Sequence, residues 1–137
     1  MLIKLRKQLN GGYFMKKLLV VDDETDVCDF IEGFFGERDF EVTVAKNGQE
    51  ALDIVEAQRP EIVLLDIRIP VVDGFKTFER IKQIDRKIKI IFITAYSDFG
   101  KTKKRLLEEG AYAFVEKPIA SLKELESLVN NAAEADK

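Results

Sequence analysis

The stretch VLLDIRIPVVDG, residues 63–74, decides the fold. Val63, Leu64 and Leu65 read as the end of a buried strand. The chain then leaves the core on an ionisable Asp66 and runs through Pro70 to an Asp73-Gly74 turn. A second run, KLLVVDDE at 17–24, ends the same way, on Asp22 and Asp23. Acids at two strand ends mark the place to look for function.

Outward from these two runs the pattern repeats. Short apolar runs stand at LLVV (18–21), FEVTVA (40–45), IVLLD (62–66), IKIIFIT (88–94) and YAFVE (112–116). Between them apolar residues recur three and four apart: Val27, Phe30, Ile31, Phe34 and Phe35; Ala51, Leu52 and Val55; Phe75, Phe78 and Ile81. The same spacing continues in Leu106 and Leu107, and in Leu122, Leu125 and Val129. Asn47 with Glu50 and Ser121 with Glu124 fit capping boxes, and Gly110 fits a helix stop. Strand-then-helix units predict an α/β fold, a doubly wound five-stranded parallel sheet with helices on both faces. Runs 18–21, 62–65 and 90–93 are nearly uninterrupted, as in strands covered on both faces, whereas FEVTVA alternates and is expected at an edge. Ligands of such sheets bind beyond the carboxyl ends of the strands.

The 137 residues suit one domain, with 46% hydrophobic and 34% charged residues and a net charge of −3. That balance gives no basic footprint for nucleic acid, and no apolar run has the roughly 20 residues of a membrane span. The N-terminus lacks the apolar core of a signal peptide. One cysteine, Cys28, makes no internal disulfide and fits a reducing cytoplasm; it reads as packed and inert. His is absent, so chemistry must run on carboxylates, hydroxyls, lysine or arginine.

The strand ends collect Asp22, Asp23 and Glu24 on the first, Asp66 on the third, Thr94 on the fourth and Lys117 before Pro118 on the fifth. Any one of these could be a polar exit from the core or a helix cap. As a set they sort acids, hydroxyl and lysine onto different strands, which polar exits need not do. Crowded carboxylates need a positive partner, and Lys117 together with a hard, oxygen-liganded divalent cation supplies it.

This combination resembles the receiver domain of two-component response regulators. The pieces LLVVDDE, LLDIRIPVVDG, IIFITAY and GAYAFVEKP occur in order at family-like spacing, over residues 16–134. The resemblance implies the flavodoxin-like strand order 2-1-3-4-5 and a cytoplasmic protein. It also implies Mg²⁺ (or Mn²⁺)-dependent acceptance of a phosphoryl group from a histidine kinase or phosphotransfer protein. Residue by residue, Asp66 is the acceptor. Asp23, Asp66 and the Arg68 carbonyl ligate the metal, and Asp22 holds it through water. Thr94, Lys117 and the backbone at Ile67 and Ala95 contact the phosphoryl group, and Thr94 with Phe114 forms the switch. Arg68 and Tyr96 occupy the positions that tune loss of the phosphoryl group, here toward slow loss. The protein would not be an enzyme beyond its own phosphorylation and dephosphorylation. It would act through a downstream target or output domain on the face of the fourth helix, fifth strand and fifth helix. A phosphorylation-dependent dimer fits the same face, and no direct contact with nucleic acid or membrane is implied.

Other residues carry weaker expectations. Phe30, Phe34 and Phe35 read as core, with Phe34 or Phe35 spilling outward on the helix where kinases dock in the family. Phe99 begins the fourth helix and is expected to be exposed, next to a solvated basic run of Lys101, Lys103, Lys104 and Arg105. Residues 15–137 are expected to be the receiver. Residues 1–14 are expected to be a disordered extension, from an upstream start or a cloning remnant, because Asn10-Gly11-Gly12 breaks any helix there. Only AAEADK follows the fifth helix, so the chain is expected to stand alone or to be a receiver cut from a longer regulator.

The same residues allow three rival readings. A haloacid-dehalogenase-type phosphatase would use Asp22 as nucleophile, but that family wants a second Asp where Glu24 stands. A receiver-like interaction module would never be phosphorylated. A flavin protein of similar topology would need a Ser/Thr/Gly-rich loop after the first strand, and none is present.

Overall fold

The computed structural model describes residues 8–9, 12–13 and 15–135. In chain order they form β1 (Lys16–Val21), α1 (Thr25–Gly36), β2 (Phe40–Ala45), α2 (Gly48–Gln58), β3 (Ile62–Leu65) and α3 (Gly74–Ile84). Then come β4 (Lys89–Thr94), α4 (Lys101–Glu108), β5 (Ala113–Glu116) and α5 (Leu122–Glu134). The sheet order is β2-β1-β3-β4-β5, every pair parallel, which is the 2-1-3-4-5 order expected. FEVTVA is an edge strand, as its alternation predicts. A separate two-stranded antiparallel ladder joins Gln8–Leu9 to Gly12–Tyr13. The rest of the expected 1–14 extension lies outside the described residues.

Two apolar layers cover the sheet because successive strand residues point to opposite faces. Leu19, Val21, Val63 and Phe92 pack with Ala51, Val55, Phe78, Ile81 and Leu106 of α2, α3 and α4. Leu18, Val20, Leu64 and Ile91 pack with Ile31, Phe35, Leu125 and Val129 of α1 and α5. Each fully buried aliphatic or aromatic side chain contributes about 1.5–3 kcal/mol. The predicted caps form: Asn47 accepts from the Glu50 amide and Ser121 from the Glu124 amide. Gly110, at φ +109°, ends α4 where expected.

One core expectation is corrected. Phe30 is 49% exposed, because α1 turns Cys28, Ile31 and Phe35 to the sheet and leaves Phe30 on its far side. There its ring stacks on half-buried Phe34, which Arg38 covers at 3.7 Å. Leu107 and Leu122, at 39% and 37%, are likewise outward-facing despite their spacing. Phe99 is fully exposed as expected, but it precedes α4 instead of beginning it.

The loop from β3 to α3 sets the site's geometry, and two glycines make it fit. A Cβ on Gly48 would lie 2.0 Å from the Val72 carbonyl oxygen, so only glycine lets α2 start against this loop. On Gly74 a Cβ would lie 2.4 Å from both the Asp66 carbonyl oxygen and Ile67 Cα. Between them Val71 holds φ +71° while 77% exposed, a left-handed conformation that β-branched side chains disfavour. Val71→Gly is therefore expected to stabilise the fold by about 0.5–1 kcal/mol, since little packing is lost and strain is relieved. A chemical-denaturation midpoint that falls in the variant would contradict this.

Candidate functional site

The backbone ladder continues one step past the strands and fixes the site residues. The Asp22 amide donates to the Ala45 carbonyl, Asp66 to Val21 and Lys117 to Thr94, at 2.9–3.1 Å. Side chains at these positions therefore project from one sheet edge. Asp22, Asp66 and Thr94 are all buried there, at 2%, 6% and 0% exposure.

Lys117 is the hub. Its Nζ donates to Asp22 Oδ2 at 2.8 Å, to Asp66 Oδ2 at 2.9 Å and to Glu24 Oε1 at 2.6 Å. The other oxygen of Asp66, Oδ1, accepts the Thr94 hydroxyl at 2.6 Å and the Arg68 amide at 3.1 Å. Asp22 Oδ1 accepts the Glu24 amide at 2.9 Å. Glu24 stands at the N-cap of α1 yet its side chain caps nothing, because it is spent on Lys117. Burial favours the neutral form of Lys117, but its three carboxylate hydrogen bonds outweigh that and hold the ammonium well above the ordinary lysine range. Burial pushes the Asp22 carboxyl up, against the hydrogen bonds from Lys117 and the Glu24 amide.

Carboxylate oxygens of Asp22, Glu24 and Asp66 lie within 4.8 Å of one another. An all-oxygen set with more acids than Lys117 can neutralise fits a hard divalent cation. Asp23 is exposed at the rim and is not in this cluster, so Glu24 is the acid for which strand-end reasoning named no role. Only the Glu24–Lys117 contact reveals it. Arg68 is exposed, and its guanidinium lies 5.2 Å over the ring of half-buried Tyr96. Ile67 is buried and Ala95 exposed, each following a site residue at its strand end. Phe114 is half-buried, with its ring 6.3 Å from that of Phe92.

The parallel sheet thus carries acids, a hydroxyl and a lysine together at one edge, in the strand order 2-1-3-4-5. The model of the response regulator receiver domain matches residues 18–130, so the chain belongs to that family. It is 37% identical over 103 residues to sporulation initiation phosphotransferase F of Bacillus subtilis (strain 168), covering 75% of this chain and 82% of that one. It is 34% identical over 118 residues to regulatory protein AtoC of Escherichia coli (strain K12), covering 86% of this chain but only 25% of AtoC. Among solved structures, a CheY-like receiver domain protein from Methanospirillum hungatei JF-1 superposes with a TM-score of 0.81 at 25% identity. It covers 90% of this chain and all of that one. A receiver domain protein from Clostridium thermocellum gives 0.82 at 26%, over 89% and 97% of the two chains. Among the described residues no helix is long and apolar enough to cross a membrane.

Proposed function

We propose that the protein accepts a phosphoryl group on Asp66 from a phosphohistidine of a kinase or phosphotransfer protein, and thereby signals. The observation that carries this is the convergence of the Thr94 hydroxyl and the Lys117 ammonium on the two oxygens of Asp66, at 2.6 and 2.9 Å. The name of the Bacillus relative, a phosphotransferase, is in keeping with it. An oxygen of Asp66 attacks phosphorus, the bond to the donor imidazole breaks, and the imidazole keeps the electron pair. A carboxylate is a weak nucleophile, so the protein contributes mainly position and charge. Lys117 neutralises charge on the transferring oxygens, the Thr94 hydroxyl donates to one of them, and the amides at Ile67 and Ala95 help cradle the group. Asp23, Asp66 and the Arg68 carbonyl would hold Mg²⁺ or Mn²⁺, Asp22 would hold it through water, and Glu24 stands close enough to join. Bound there, the ion supplies positive charge to the equatorial oxygens.

The modification adds roughly −1.5 to −2 charges at pH 7. Thr94 and Phe114 would transmit this to the face of α4, β5 and α5, where a cytoplasmic target, an output domain or a second copy binds. Several relatives are longer regulators of which this chain spans about half or less, which is compatible with an output segment on the same polypeptide. Beryllofluoride with Mg²⁺ should shift the amide resonances of Ile67, Thr94, Ala95 and Phe114 together. An unchanged spectrum at saturating reagent would contradict the reading. Arg68, whose backbone amide donates to Asp66 Oδ1 and whose guanidinium lies over the Tyr96 ring, is expected to shield the acyl phosphate. Arg68→Ala should therefore lose phosphate faster than wild type, and an equal or slower rate in a quench-flow decay would count against the shield.

A further inference from the structure

Tyr96 is tied to Asp66 at both of its ends. Its amide donates at 3.1 Å to Thr94 Oγ1, the hydroxyl that donates to Asp66 Oδ1. Its ring lies 5.2 Å from the guanidinium of Arg68, whose amide donates to the same Asp66 oxygen. Phe75, directly after Gly74 in α3, meets the Tyr96 ring edge-on, with centroids 6.1 Å apart and planes at 89°. Edge-to-face packing at this separation fixes ring orientation as well as position. Arg105 of α4 stacks on Phe75 in turn, its guanidinium carbon 4.9 Å from the ring centre. Arg68, Tyr96, Phe75 and Arg105 thus form a cation–ring–ring–cation ladder that spans two loops and two helices, and at its Arg68 end the backbone amide is bonded to Asp66.

We propose that Phe75 is a positioning residue, which holds the Tyr96 ring and through it the Arg68 guanidinium as a cover over phosphorylated Asp66. This rests on the reading of Asp66 as the phosphoryl acceptor. The step affected is hydrolysis. A water oxygen attacks phosphorus, the bond from phosphorus to the Asp66 oxygen breaks, and the carboxylate takes back the electron pair as inorganic phosphate leaves. The proton released passes to solvent. Phe75 touches none of the reacting atoms; it acts by keeping Tyr96 and Arg68 in the path of that water.

A bulky core residue without this role would alter stability alone. The two are separated by the decay of the aspartyl phosphate, formed with acetyl phosphate and Mg²⁺ and followed after the donor is removed. Wild type, Phe75→Leu, Phe75→Tyr, Tyr96→Ala and the Phe75→Leu/Tyr96→Ala double variant are compared, with thermal midpoints recorded alongside. Phe75→Leu should decay about fivefold faster than wild type, a barrier change of about 1 kcal/mol. Phe75→Tyr, which keeps the ring, should stay near the wild-type rate. The double variant should decay no faster than Tyr96→Ala, because both changes remove the same cover. A Phe75→Leu rate equal to wild type, or a double variant whose acceleration is the product of the two single ones, overturns the proposal while leaving Asp66 as acceptor. Absence of any adduct on wild type overturns the underlying reading instead.

Discussion

Gly74→Ala is expected to cost about 3 kcal/mol of folding stability and to cripple phosphoryl acceptance as well. The added methyl would meet the Asp66 carbonyl oxygen and Ile67 Cα at 2.4 Å. Both are backbone atoms, so neither can rotate aside as a side-chain tip could. The Gly74 amide also donates to the Ile67 carbonyl at 2.8 Å, which pins the two segments together. Relief must come from moving the peptide that carries Asp66 or from displacing the start of α3. Overpacking in a rigid setting costs about 1–3 kcal/mol and occasionally more, and this position is at the upper end. Urea denaturation measures it, and a loss below about 1 kcal/mol with normal phosphorylation would show that the contact yields easily.

Lys117→Met is the second large effect, and its pH dependence identifies the cause. The ammonium is the shared partner of Asp22, Asp66 and Glu24. Its removal leaves two carboxylates with side chains only 3% and 8% exposed and without their cation. Breaking a fully buried pair costs about 3–5 kcal/mol; here the site opens to solvent, so about 2–3 kcal/mol is expected at pH 7. The exposed Glu24 arm should matter far less, about 0.5 kcal/mol or under in Glu24→Gln. The raised Lys117 value stabilises the fold below the ordinary lysine range, and that contribution is lost only as the solution becomes strongly alkaline. Asp22, pushed up by burial, opposes folding when ionised, and the opposition is relieved as pH falls through its raised value. Without Lys117 that relief is larger, so the gap between variant and wild type should shrink as the solution is acidified below pH 7. A gap independent of pH would point to lost packing of the lysine stem in place of lost charge.

The contrast between what could be read in the sequence and what could not has a physical basis. Runs such as LLVV and IVLL are legible because a strand covered on both faces must be apolar at every position. FEVTVA is legible as an edge for the opposite reason. Asp22, Asp66, Thr94 and Lys117 are legible because in a parallel sheet all strand ends of one sense lie at one edge, so their meeting follows from topology alone. Phe30 misled because apolar spacing allows several helix phases, and only docking on the sheet selects the one that buries Ile31 and Phe35. Glu24 has the look of a plain helix cap, and its use by Lys117 depends on a segment 93 residues away. The Tyr96–Phe75–Arg105 contacts join three separate segments through ring orientation, which no spacing rule encodes.

The central claim is that Asp66 takes the phosphoryl group, and intact mass spectrometry after incubation with acetyl phosphate tests it most directly. Wild type, Asp66→Asn and Asp22→Asn are compared with and without Mg²⁺. A single Mg²⁺-dependent phosphoryl adduct on wild type that disappears in Asp66→Asn is the expected result. An adduct that survives Asp66→Asn but vanishes in Asp22→Asn would contradict it and favour hydrolase-like chemistry at the first strand. A wild-type protein that stays unmodified and also resists beryllofluoride would leave a constitutive binding module in place of a phosphorylated switch.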